Sequence, residues 1–127
     1  MELTGKAKEQ FEEWYLRIFW KAEKEGQGLI TINKGGIGLL RFYYLPEAMQ
    51  FGVYVDFADS VGMLIDTDVV WDVITLNKNI YEYTIKNQQE LLVLGDGFAY
   101  TRRELRTAAI KRLNKILNKK QENEKTK

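Results

Sequence analysis

The residues in this sequence with the clearest chemical potential are bases that could hold an anion. Arg102 and Arg106 stand four residues apart in a segment of helical character. Their guanidinium groups then share one face and can grip a phosphate or a carboxylate. Arg103, Lys111, Arg112, Lys115, Lys119 and Lys120 continue the basic character of the same segment. Two considerations weigh against a nucleic-acid surface. Bases late in a helix complement its dipole and need no ligand. Nucleic-acid binders also carry, as a rule, a strong overall positive charge, whereas this chain has a formal net charge of +1. Contact with nucleic acid through Arg102, Arg103, Arg106, Lys111, Arg112 and Lys115 is therefore the alternative expectation rather than the first.

The carboxylates form a second set. Asp56, Asp59, Asp66, Asp68 and Asp72 supply the oxygen ligands that Mg²⁺ and Ca²⁺ prefer, and Asp66 and Asp68 share one side of an extended backbone. Their spacing matches no calcium loop, and acids at strand ends serve solubility. No metal site is expected. Gly35-Gly36-Ile37-Gly38 and Gly95-Asp96-Gly97 lack the spacing and the Lys-Ser/Thr pair of a phosphate loop. Both are expected to be turns. The chain has no His and no Cys. This removes the commonest general base, the commonest metal ligands, Cys nucleophiles and disulfides. Asp, Glu, Lys and Tyr remain, but in no recognisable catalytic arrangement. The expectation is a non-enzymatic protein without a cofactor.

The elements that position these residues can be traced along the chain. Residues 4–25 read as a helix capped by Thr4, with Ala7, Phe11, Trp14, Tyr15, Ile18 and Ala22 on one face. Leu16 and Trp20 lie together nearly opposite Ile18. They are either wrapped by the rest of the domain or exposed as a partner surface. Residues 29–45 and 50–67 read as two hairpins. In the second, Phe51, Val53, Val55 and Phe57 alternate with Gly52, Tyr54 and Asp56 before a turn at Ala58-Asp59-Ser60. Residues 69–94 supply two or three further strands, separated by Asn77-Lys78-Asn79 and Asn87-Gln88-Gln89. Tyrosines are frequent in these segments, and some must face solvent or the last helix. Thr101-Arg102-Arg103-Glu104 matches a capping box opening a helix over 101–119, with Leu105, Ala109, Leu113, Ile116 and Leu117 as its buried stripe. The polar residues 121–127 should fray.

The predicted fold is a single α+β domain over residues 1–120, followed by the tail. An N-terminal helix leads into a five- or six-stranded antiparallel meander sheet, and a C-terminal helix closes it. At 127 residues the chain can bury one core without staples. Charge is unevenly spread. Residues 46–100 carry nine acids and two bases, a net −7, whereas residues 101–120 carry eight bases and one acid, a net +7. The two segments either neutralise each other across the fold or present a basic surface to an acidic partner. No apolar run approaches a membrane span, the N-terminus is polar, and the absence of Cys fits a reducing compartment. A cytoplasmic location is expected, with no membrane contact.

Two stretches carry a resemblance. Met49-Gln50-Phe51-Gly52-Val53-Tyr54-Val55-Asp56-Phe57-Ala58-Asp59-Ser60-Val61-Gly62 and Thr101-Arg102-Arg103-Glu104-Leu105-Arg106-Thr107-Ala108-Ala109-Ile110 resemble segments of small uncharacterised proteins encoded by phages and prophages of gut bacteria. Those proteins also tend to open with a Trp-containing helix, as at Glu13-Trp14-Tyr15-Leu16. The chain differs from them in its segment 29–44 and its long basic ending. The resemblance implies an accessory protein that binds rather than catalyses. The leading expectation is thus self-association or contact with a protein partner, with Leu16 and Trp20 as the candidate surface.

Overall fold

The computed structural model describes residues 1–19, 36–71 and 79–125. Among the described residues seven elements follow in order: α1 (Gly5–Phe19), α2 (Gly36–Tyr43), α3 (Glu47–Ser60), β1 (Met63–Trp71), β2 (Asn79–Asn87), β3 (Val93–Ala99) and α4 (Arg102–Lys125). The class is α+β, with helices at both ends and an antiparallel sheet, as the sequence predicts. Among the described residues the sheet has three strands rather than five or six, in the order β1-β2-β3.

Two of the expected strands are helices. Residues 36–43 of the expected first hairpin form α2, and residues 29–35 lie outside the described residues. The expected second hairpin is α3 up to Ser60, and only its return arm, from Met63, is a strand. The alternation of Phe51, Val53, Val55 and Phe57 misleads because α3 is packed on several sides. Its buried residues are Gln50, Tyr54, Phe57 and Ala58, at helical spacing. Phe51, Val53 and Val55 are half-buried along the flanks of that stripe. The start and stop signals lie just outside the alternating stretch. The Pro46 carbonyl accepts from the amides of Met49 and Gln50 at 2.9 and 3.0 Å, Glu47 sits in the first turn where the dipole favours an acid, and Gly62 turns the chain away at φ +82°.

The strands pair in register Ile65↔Ile85 and Thr67↔Tyr83, then Tyr83↔Gly97 and Tyr81↔Ala99, with an irregularity at Ile85/Lys86. Met63, Ile65, Tyr83, Ile85 and Ala99 are buried on one face. α4 crosses that face over β2 and β3, and α3 meets it over β1. Gly95 and Gly97, expected in a turn, lie within β3 and face α4. A Cβ on Gly97 would fall 2.6 Å from Cε1 of Tyr83, and one on Gly95 would fall 2.8 Å from the Arg112 stem. The glycines make room for these two side chains. The turn at Asn87 forms as expected, its Oδ1 accepting the amides of Gln89 and Glu90.

The helices meet in an aromatic cluster. Phe11 of α1 lies with its ring centroid 4.9 Å from Phe42, 4.7 Å from Tyr54 and 5.3 Å from Phe57. Trp14 and Tyr15 complete α1's buried face, but Ile18, expected on the same face, is 56% exposed. The first turn of α1 is capped by another helix rather than by the Thr4 side chain. Asn114 and Asn118 of α4 accept from the amides of Thr4 and Ala7 at 2.8 and 3.0 Å, and Asn118 donates to the Thr4 carbonyl. α4 itself begins as predicted, with Thr101 Oγ1 accepting the Glu104 amide at 3.1 Å. It runs through Lys125, past the expected end at 119. No helix among the described residues is long and apolar enough to cross a membrane.

Candidate functional site

The first turns of α4 bring Arg102 and Arg106 into one cleft of about 350 Å³. Its other walls are Ala48 and Phe51 of α3, Thr67, Asp68 and Val69 of β1, Tyr81 of β2 and Leu105. The helical spacing that placed the two arginines on one face is what aims them together. Arg102 lies over the Tyr81 ring, 5.6 Å from its centroid, so that its guanidinium rests on an aromatic face. Arg106 is half-buried, and its Nε is buried without a hydrogen-bond partner. Asp68 lies between Thr67 and Val69 on β1, and its Oδ1 accepts the Val69 amide at 2.8 Å. The lining thus combines two fixed positive charges with the apolar surfaces of Phe51, Val69, Tyr81 and Leu105.

The remaining bases of α4 go elsewhere. Arg103 pairs with Glu47, Nε to Oε2 at 3.1 Å, on the surface. Lys111, Lys115 and Lys119 are exposed along one stripe of α4 away from its buried face, with exposed Arg112 on the flank of that stripe next to the sheet. The Arg112 stem lies on Gly95. Among the described residues, Arg103–Glu47 is the only ion pair that joins the basic segment to the acidic middle. The two segments do not neutralise each other in pairs.

The acids of the middle segment gather on the other side of the sheet. By register Asp66, Thr84 and Asp96 form one cross-strand row, and Asp68, Glu82 and Phe98 form the next. These positions alternate with the buried ones, so they face away from α3 and α4, and no described helix covers them. Phe98 is 67% exposed there. Asp56 and Asp59 lie on α3, Asp59 accepting from Gln88 Nε2, and Asp72 lies outside the described residues. Among the described residues no three acidic groups come close enough to hold a metal ion.

Leu16 is half-buried against the core of its own chain, and Trp20 lies outside the described residues. Phe51, Thr67, Val69 and Tyr81 were not singled out as cleft residues by the sequence. They come from three separate elements, and only the packing of α3 and α4 on the sheet joins them. Compared with known protein families, with curated proteins and with solved structures, the chain matches none.

Proposed function

We propose that this chain is a small, non-enzymatic, cytoplasmic accessory protein of the phage type its motifs resemble, acting through protein contact by self-association. The observation that supports this is the segregation of its charge onto two layers. Lys111, Lys115 and Lys119 line the solvent side of α4, whereas Asp66, Asp68, Glu82 and Asp96 occupy the sheet face that no described helix covers. The basic stripe of one copy complements the acidic face of the next. Such a contact joins different surfaces on the two copies, so it propagates head to tail. Phe98 at the acidic face supplies apolar area to a contact that charge would orient.

Sedimentation velocity over a range of salt and protein concentrations tests the reading. Association is expected at low ionic strength and should weaken steeply toward roughly 0.5 M salt, where the screening length falls to a few ångströms. Lys111→Glu combined with Lys115→Glu should abolish it without changing the melting temperature. A single monomeric species at every concentration in low salt would overturn the proposal. A second reading, nucleic-acid binding through the same stripe, is favoured by the lack of carboxylate partners for Lys111, Arg112 and Lys115 among the described residues. Its signature is tight, salt-sensitive binding of a DNA or RNA duplex by a monomer.

A further inference from the structure

The geometry points to the cleft between α3, β1, β2 and α4 as a binding site for a small carboxylate that carries an apolar body. The argument begins with Arg106. Its Nε is buried, points into no hydrogen bond, and belongs to a side chain that lines the cleft. A buried donor without a partner is unusual in a folded protein, and here it belongs to one of the two guanidinium side chains that line the cleft. Arg102 brings a second guanidinium to the same cleft, held over Tyr81. A guanidinium presents its donors in a planar fork that matches the two oxygens of a carboxylate.

The charge and the walls then narrow the ligand. The two arginines give the lining its positive charge and select an anion. A volume of about 350 Å³ holds a ligand of amino-acid or short fatty-acid size, not a stretch of nucleic acid. Phe51, Val69, Tyr81 and Leu105 provide apolar wall for the rest of such a molecule. Arg103, one residue from Arg102, is turned to Glu47 and takes no part. This site is independent of the self-association surfaces, which lie on the solvent side of α4 and the far face of the sheet.

Calorimetric titration with 3-phenylpropionate, its neutral amide and inorganic phosphate tests the assignment. NMR shifts would be followed at Thr67, Val69, Tyr81 and Leu105. The carboxylate is expected to bind and to move those resonances, and the amide to bind more weakly by roughly tenfold or more, since it lacks the charge-assisted bonds. Arg106→Gln should weaken the carboxylate by a similar factor. Arg102→Gln, at an exposed position where folding is not at stake, should weaken it several-fold, and Arg103→Gln should leave it unchanged. Equal binding of acid and amide, tighter binding of phosphate than of the carboxylate, or unaltered affinity in Arg102→Gln would each overturn the proposal. The carboxylate's arm can come from a free acid or from the C-terminus of a peptide. An acetylated peptide ending in Phe, compared with its C-terminal amide, separates the two sources, and failure of all carboxylates to bind overturns both.

Discussion

At the scale of single residues, glycine substitutions separate a close approach from an ordinary helical position. Gly97 leaves room for the buried Tyr83 ring, and an added Cβ would sit 2.6 Å from Cε1 and 3.0 Å from the phenol oxygen. Tyr83 is 6% exposed and has little freedom to withdraw. Gly97→Ala is therefore expected to destabilise the fold by about 1–3 kcal/mol, the range for overpacking a core. Gly52 gives the contrast. It lies in α3, is exposed, and has no atom within 4 Å of where its Cβ would be. Gly52→Ala should stabilise the protein by about 0.5–1 kcal/mol through helix propensity alone. Urea unfolding of the two variants checks both signs. A destabilising Gly52→Ala would argue against the helix and for the strand that the alternating pattern suggested.

At the scale of elements, the parts legible in the sequence were those with local signals. α4 was readable from Thr101 and from the spacing of Leu105, Ala109, Leu113 and Leu117. β2 was readable from its β-rich run ahead of the turn at Asn87. α3 was not, because period-2 and period-3.6 patterns coincide wherever a helix is apolar on its flanks as well as on its buried stripe. Gly95 and Gly97 read as turn residues in the sequence because the side chains that need their space, Arg112 and Tyr83, are remote along the chain. The arginine pair of the cleft was legible, since helical spacing alone brings Arg102 and Arg106 to one face, but its walls were not. The α1–α4 clamp is equally non-local. Asn118 accepts the Ala7 amide and donates to the Thr4 carbonyl. Asn118→Ala leaves both groups without this partner and should destabilise the fold by about 1–2 kcal/mol, the range for losing a helix cap. Asn118→Asp keeps the acceptor and places a negative charge at the N-terminus of α1, so it should lose less. Equal losses in the two variants, read from urea midpoints, would mean that the amide acceptor is not what holds α1.

At the scale of the whole molecule, the helix layer packs on one side of the sheet while acids collect on the other. The buried side is rich in phenols whose ionisation the fold resists. Burial pushes the Tyr43 and Tyr54 hydroxyls well above the ordinary phenol range, with Glu12 and Glu2 reinforcing the shift at Tyr43, and Tyr43 and Glu2 reinforcing it at Tyr54. Burial also raises Tyr83, where Arg112 opposes the shift and Asp96 adds to it. In the unfolded chain all three ionise near the usual phenol value of about 10. The folded state holds its protons to higher pH than the unfolded state. The stability these groups contribute is therefore whole below about pH 10 and is lost progressively as pH rises above it. Urea midpoints should stay level between about pH 8 and pH 9.5 and fall by about pH 11. Tyr54 is fully buried, so Tyr54→Phe removes one of the resisting groups while keeping the ring that packs on Phe11 and Phe42. The variant should show a shallower alkaline decline than the parent. An identical decline would place the alkaline sensitivity in the surface charges of α4 rather than in the buried phenols.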